Sequence, residues 1–312
     1  MILVAEPAAG ALQGELTPPG DKSVSHRAVL FASLAQGQSR ILGLLESEDV
    51  RATISACRQL GMTARQSDGE WVLKGVGDTG LQAPAAPLDM GNSGTAMRLL
   101  AGVLAAQPFD SELIGDASLS RRPMNRIVSP LSMMGARIET AEGGTPPLRI
   151  SGTPQLRGID YQSPIASAQV KSCVLLAGLY ASGNTRVREP LQSRNHTELM
   201  LPAFGVPLLG DCGVKGGSRL RGADLRVPAD VSSAAFMMVA AALVPGSDLL
   251  LRDVGLNETR DGILQVMRAM GADLEVLDPR RFGGEAVGDI RIRYAGQLKG
   301  VDIPEGLVPS LI

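Results

Sequence analysis

The sequence predicts an α/β protein of two domains, assembled from repeats of a helix–strand–helix–strands unit. Three observations lead there. The chain has 312 residues, more than one simple core accommodates. Four of its stretches open on a small polar residue and run into an apolar helical pattern, about 70 residues apart. They lie at Ser23 (KSVSHRAVLFASLA), Ser93 (NSGTAMRLLAGVLA), Ser167 (ASAQVKSCVLLAGLYA) and Ser232 (DVSSAAFMMVAAALV). Each is followed by a turn, a short strand-like run, a second helical pattern and a glycine: Gly61, Gly135, Gly205 and Gly271.

The glycines stand where a helix needs a terminating residue that tolerates positive φ. Strand-like stretches then complete the units at Trp71–Lys74, Leu148–Ile150, Leu225–Val227 and Ile290–Tyr294. A fifth unit is due near residue 305, where the sequence reads IPEGLVPSLI with neither a helix nor a cap. The expectation is a C-terminal truncation that leaves a core face without its next repeat.

Composition narrows the function classes. Apolar residues make up 44% and charged residues 20%, the balance of an ordinary globular protein. With 30 basic and 32 acidic residues there is no global field for nucleic acid or membrane, so anions must be met by local clusters. Aromatics are 3%, too few for base-stacking platforms. The N-terminus lacks the pattern of a signal peptide, and the longest apolar run, Ala234 to Val244, is about half a membrane span. Cys57, Cys173 and Cys212 are scattered and odd in number, which suits buried thiols in a reducing cytoplasm. Two histidines, His26 and His196, make a His-based metal site an unpromising reading. No cofactor and no metal are expected.

Candidate site residues gather at the helix starts. In PGDKSVSHR (Pro19 to Arg27), Gly20 permits a turn and Asp21 or Ser23 can cap the helix. Lys22, Ser23 and Arg27 then surround an N-terminus suited to an anion; a capped surface helix with solvated cations explains the same residues. GNSGTAMR (Gly91 to Arg98) offers Asn92, Ser93 and Thr95 as donors, with glycines that admit a ligand close to the backbone. It is not a Walker loop, since no GKS or GKT follows. LSRRPMNRI carries Arg121, Arg122 and Arg126, with Pro123 read as the first helical turn holding Arg122 at its edge. SPIASAQVKS places Ser167 and Gln169 before an apolar helix, with Lys171 as a simple surface cation. In SRNHTELM, Ser193 and Arg194 precede His196, a cap-region or solvated histidine rather than a base. If the repeats pack pseudo-symmetrically, these helix starts converge on a small polyanion.

In this order and spacing, PGDKSVSHR, GNSGTAMR, the RRP arginine and SAQVKS resemble the EPSP synthase (3-phosphoshikimate 1-carboxyvinyltransferase) family, over essentially the whole chain from Leu16 onward. The resemblance implies an enolpyruvyl transferase-like fold of two domains, each of three βαβ-type repeats about a pseudo-threefold axis. Residues 21–227 would be one complete domain; residues 1–20 plus 228–312 would be part of a second. It also implies that Lys22, Ser23 and Arg27 meet the anionic substrates, with Lys22 catalytic between them. Ser167, Ala168, Gln169 and Ser193 would hold shikimate 3-phosphate, while Asn92, Gly94, Thr95 and Arg122 would face phosphoenolpyruvate. Glyphosate would occupy the phosphoenolpyruvate subsite, and a glycine at Gly94 would go with sensitivity. The partners implied are these two small molecules, with no nucleic acid and no membrane, in a monomer or with a chain completing the second domain. The family's catalytic aspartate and further cations would follow Ile312, so the chain is expected to be inactive alone. Two other readings stand beside it: a non-catalytic shikimate 3-phosphate-binding fragment, and a repeat scaffold without enzymatic activity. The sister UDP-N-acetylglucosamine enolpyruvyl transferase would open on G-A-K-N and carry a cysteine near residue 115, where this chain has Gly115-Asp116-Ala117.

Overall fold

The computed structural model describes residues 10–77 and 80–311. A strand β1 (Gln13–Leu16) precedes the first round: α1 (Lys22–Leu34), β2 (Gln38–Leu42), α2 (Glu48–Gln59) and the hairpin β3 (Thr63–Ser67)–β4 (Glu70–Lys74). The second round is β5 (Leu88–Asp89), α3 (Gly94–Leu104), β6 (Ser111–Ile114), α4 (Asn125–Met133), β7 (Arg137–Ala141) and β8 (Thr145–Ser151). The third is β9 (Asp160–Gln162), α5 (Ala168–Tyr180), β10 (Asn184–Arg188), α6 (His196–Met200) and β11 (Gly213–Lys215). After β12 (Asp224–Arg226) comes a fourth: α7 (Val231–Leu243), β13 (Asp248–Gly255), α8 (Gly262–Ala269), β14 (Asp273–Phe282) and β15 (Glu285–Arg293).

The helix-ending glycines of the four rounds do the same physical job. Gly61, Gly135, Gly205 and Gly271 have φ of 107°, 100°, 81° and 92°. In each case the glycine N–H and the next N–H turn back onto the last helical carbonyls. Around Gly61 these are Arg58 O at 3.0 Å and, from Met62, Cys57 O at 3.0 Å; around Gly271 they are Arg268 O at 3.0 Å and, from Ala272, Met267 O at 2.9 Å. This paired arrangement satisfies orphan carbonyls and needs a left-handed residue, which glycine adopts without a Cβ penalty.

The chain forms two compact units, one of residues 22–227 and one of the segments up to Asp21 and from Pro228 onward. In the larger unit three sheets have the orders β12-β2-β4-β3, β5-β6-β8-β7 and β11-β10-β9. In each, a central strand has one parallel neighbour and one antiparallel neighbour. The smaller unit repeats this pattern in one sheet, β1-β13-β15-β14, with β1 parallel to β13. The Leu225–Val227 stretch does not complete the third round as the spacing suggests. Its strand β12 instead lies parallel to β2 of the first, with Leu225 opposite Ile41.

Helices α1, α3 and α5 form the centre of the larger unit. Every residue of α1 from Val24 to Leu34 is buried, as is α5 from Val170 to Leu179. These helices are largely apolar, as burial on every side favours, and the charged residues they bury, Arg27 and Lys171, are held by partners. The smaller unit has its own core of Val231, Ala234, Met238, Leu251, Ile290 and neighbouring side chains. Asp21 belongs to that smaller unit rather than opening the larger one. Its N–H donates to Pro228 O at 2.8 Å, and its carboxylate accepts from Arg260 at 2.9 Å. Among the described residues, no helix is long and apolar enough to cross a membrane.

Candidate active site

The start of α3 gathers backbone donors and cations. Ser93 caps it, its hydroxyl accepting from Ala96 N–H at 3.1 Å, so the remaining first-turn N–H groups face outward from the helix end. Three arginines crowd this end. Arg98, one turn along, donates to Gln169 Oε1 at 2.6 Å and to Pro123 O at 3.0 Å. Arg122 donates to the Asn92 side-chain oxygen. A Cβ at Gly94 would sit 3.0 Å from the Arg98 guanidinium and 3.2 Å from that of Arg122. Burial pulls the Arg98 guanidinium below its usual range, and the nearby cations Arg122 and Arg126 add to that. A site in which cations lower one another's proton affinity gains from a bound anion.

Asn92 is locked between two charges. Its Nδ2 donates to Asp116 at 2.7 Å while its oxygen accepts from Arg122. Asp116 also accepts the Leu119 N–H at 2.7 Å. That backbone donor, then Asn92, holds its carboxyl below the ordinary carboxylate range. Pro123 lies between a short 3-10 turn, Leu119–Arg121, and α4. It is therefore not in the first turn of a helix, and Arg122 is presented by an extended residue at the end of that turn.

The start of α5 meets the same place. Ser167 caps it, with its hydroxyl 3.4 Å from Val170 N. Gln169 donates to Thr95 Oγ1 at 2.9 Å and accepts from Arg98, so one amide ties the starts of α3 and α5 together. Ser193 approaches from the loop before α6, but its hydroxyl is spent on Glu189, at 2.8 and 2.7 Å from the two carboxylate oxygens. Lys171 is no surface cation. It is 3% exposed and lies 2.9 Å from Glu189 and 2.8 Å from Glu198. Burial alone would lower its pKa, but Glu198 and Glu189 outweigh that and raise it. For Glu189, burial pushes upward, yet Lys171, Ser193 and the Ser167 N–H outweigh it and leave the carboxyl depressed.

The start of α1 joins through its second turn. His26 Nδ1 lies 2.8 Å from Thr53 Oγ1, and its Nε2 lies 3.4 Å from the Ser93 hydroxyl. Arg27 is 2% exposed and donates to Thr197, to Ser23 O and to Ser172 of α5 at 2.8, 2.9 and 2.7 Å. It sits beneath the helix start, binding α1 to α5 and α6, with Ser23 above it. Lys22 is exposed and its ammonium lies 3.1 Å from Asp49. His196 opens α6 and is 2% exposed, so it is a cap-region residue but not a solvated one.

All eleven candidate residues belong to the larger unit; hydrogen bonds join the opening turns of α1, α3 and α5, while Arg122 and Ser193 come from flanking turns and loops and Lys22 is paired with Asp49. The structure adds Arg98, Asp116, Lys171 and Glu189, which the motifs alone did not select. Arg98 was within reach of the sequence, being four residues after Gly94 and so on the same helix face. Burial pushes the Cys57 thiol up to about 11 and Cys173 to about 12, while half-buried Cys212 reaches about 12 through burial and the Glu198 charge.

Comparison with known proteins gives one answer. A model of the EPSP synthase (3-phosphoshikimate 1-carboxyvinyltransferase) family matches residues 7–309. The 3-phosphoshikimate 1-carboxyvinyltransferase of Xanthomonas campestris pv. campestris is 58% identical over 306 residues, covering 97% of this chain and 70% of that protein. The protein of the same name from Methylococcus capsulatus is 54% identical over 308 residues, with the same coverage. A solved structure of EPSP synthase from Acinetobacter baumannii superposes with a TM-score of 0.90 at 51% identity, over 97% of this chain and 69% of that one. With a family model along nearly its whole length and relatives at this identity, the chain belongs to the EPSP synthase family.

Proposed function

We propose that the chain binds shikimate 3-phosphate and phosphoenolpyruvate at the joined starts of α1, α3 and α5. The reaction served is transfer of the enolpyruvyl group to the 5-hydroxyl, giving 5-enolpyruvylshikimate 3-phosphate and phosphate on the route to aromatic amino acids. The observation that carries this reading is the Gln169 amide, fixed by Arg98 on one side and Thr95 on the other. It brings the donors of two helix starts and a cluster of arginines to one place, which suits ligands with several negative charges. Ser167, Ala168 and Gln169 hold shikimate 3-phosphate, with Ser193 as support, while Ser23 and Arg27 close that side. Asn92, Gly94, Thr95 and Arg122 face phosphoenolpyruvate, and Lys22 stands between the ligands once it releases Asp49. A cytoplasmic setting belongs to the same reading.

In this chemistry the 5-hydroxyl adds to C2 of phosphoenolpyruvate as C3 takes a proton, and the tetrahedral adduct then expels phosphate. Lys22 and Arg122 offset the charge gathered in the adduct and on the leaving group. A proton donor and acceptor are also needed. The carboxylates of Asp116 and Glu189 are held below their ordinary range by their own donors, which makes them poor proton donors.

Calorimetric titration with shikimate 3-phosphate, with UDP-N-acetylglucosamine as control, tests the reading. Saturable binding of the first alone is expected. Binding of the control instead would move the chain to the sister activity. No binding by a cooperatively melting sample would refute the site. Formation of 5-enolpyruvylshikimate 3-phosphate and phosphate from the two substrates would support the transfer reading directly.

A further inference from the structure

The Glu189 carboxylate, just beyond the end of β10, receives four donors. These are the Ser167 N–H at 2.7 Å, the Ser193 N–H at 3.3 Å, the Ser193 hydroxyl and the Lys171 ammonium at 2.9 Å. Its side chain is 6% exposed. Lys171 is in turn held by Glu198 at 2.8 Å, and a cavity of about 650 Å³ lies alongside, lined by Lys171, Glu189, Glu198 and Cys212 among others. Such a buried, multiply bonded charge needs a reason, because replacing a buried ion pair by apolar groups often costs nothing in stability.

The reason lies in what each donor leaves behind. A serine hydroxyl has a single proton. That of Ser193 is directed at Glu189, so Ser193 has no proton to offer an anionic ligand. Ser167 is bound through its backbone N–H, and its hydroxyl accepts from Val170, so its own proton remains available at the start of α5. The two serines thus differ in role although both lie at the same edge of the site.

We propose that Glu189, steadied by Lys171, is a positioning residue for shikimate 3-phosphate. It clamps the cap of α5 to the 189–196 loop, and Ser193 acts through it rather than on the ligand. Lys171 keeps the carboxylate charged and in place, so the Ser167 hydroxyl and the first-turn N–H groups of α5 face the ligand in one geometry. This rests on the shikimate 3-phosphate reading above.

A double-mutant cycle in ligand affinity tests it, with Glu189→Gln, Ser193→Ala and the pair titrated with shikimate 3-phosphate. Glu189→Gln leaves Lys171 paired with Glu198, so the fold should persist, and a thermal melt checks this. The expected result is about a tenfold loss of affinity for Glu189→Gln with a native-like melt. Ser193→Ala should weaken binding in the native chain and add nothing in the Glu189→Gln background. Equal losses from Ser193→Ala in both backgrounds would show a direct ligand contact and overturn the proposal. Native affinity in Glu189→Gln would also overturn it. If Glu189→Gln does not melt cooperatively, Glu189→Asp decides: it keeps the charge for Lys171 but cannot span both serines, so weakened binding supports the clamp and native binding refutes it. Failure of the unmutated chain to bind shikimate 3-phosphate is a separate outcome that removes the functional reading itself, and the clamp with it.

Discussion

Helices α5 and α7 each have 13 residues and read as apolar almost all round, yet they have different surroundings. Helix α5 is buried without a break from Val170 to Leu179, whereas α7 buries Val231, Ala234, Met238, Ala241 and Ala242 and leaves Phe236 77% exposed. The neighbours make the difference. Helix α3 lies so close to α5 that a Cβ on Gly102 would stand 2.2 Å from Cys173 O, and one on Gly178 would stand 2.7 Å from the Thr185 side chain. Helix α7 packs on β13 and β15 along one side. An all-apolar helix in a sequence thus states what can be buried, and packing decides how much is. It also explains where chemistry can sit. In α5 the enclosed stretch holds Lys171, 3% exposed, against Glu189 and Glu198 close to the helix start.

The comparison makes quantitative demands. The largest is on Lys171. Lys171→Met leaves Glu189 and Glu198 buried without their cation and should cost about 3–5 kcal/mol in denaturant unfolding; a loss no greater than that of a surface substitution would mean the triad is not held as described. Next come paired truncations on the two helices. Leu175→Ala, at a site with 0% exposure, should cost about 2–5 kcal/mol. Leu243→Ala, at 56% exposure, should stay within about 0.5 kcal/mol. Equal costs would erase the contrast.

Smaller effects are expected at the site. Gly94→Ala puts a methyl against the Arg98 and Arg122 side chains, whose flexible ends can yield. The fold should survive while affinity for phosphoenolpyruvate drops about tenfold, or about 1.4 kcal/mol, measured by titration in the presence of shikimate 3-phosphate. Acid should separate the units by the smallest margin. Glu189 is depressed from 4.5 in the fold, so its contribution is full above that value and is lost as pH falls below it. In the smaller unit burial pushes Asp289 up, but Arg280 and Arg252 outweigh it and hold it at about 2 against an ordinary 3.8, so its contribution fades lower in the scale. Amide exchange at the start of α5 should rise as pH falls below 4.5, and that of β13 and β15 as pH falls below 3.8; exchange that does not respond to acid would contradict these assignments.

What was legible in the sequence was local. The repeat and its glycine helix ends could be read because a left-handed turn demands a residue without a Cβ, whatever surrounds it. Helices opening on a small polar residue were legible too, because a short side-chain oxygen can accept a first-turn N–H: Ser93 and Ser167 do so, although the fourth helix is capped by Asp230 rather than Ser232. What was not legible depended on distant partners. Arg27 is buried because Thr197, 170 residues away, accepts its Nε. Lys171 looks like a surface cation on an apolar helix until Glu189 and Glu198 are folded against it. Strand β12 finds β2 rather than its own round. Ser193 is placed on shikimate 3-phosphate by the resemblance alone; its hydroxyl donates to Glu189 only four residues back, a local contact that no motif announces.

The most direct test of the account is hydrogen exchange of the 312-residue chain with and without shikimate 3-phosphate. The starts of α5 and α1, at Ser167–Gln169 and Lys22–Ser23, should gain protection, with α3 at Gly94–Thr95 following when phosphoenolpyruvate is added. Protection confined to the smaller unit, or spread evenly over the chain, would contradict the claim that these joined helix starts are where the anions bind.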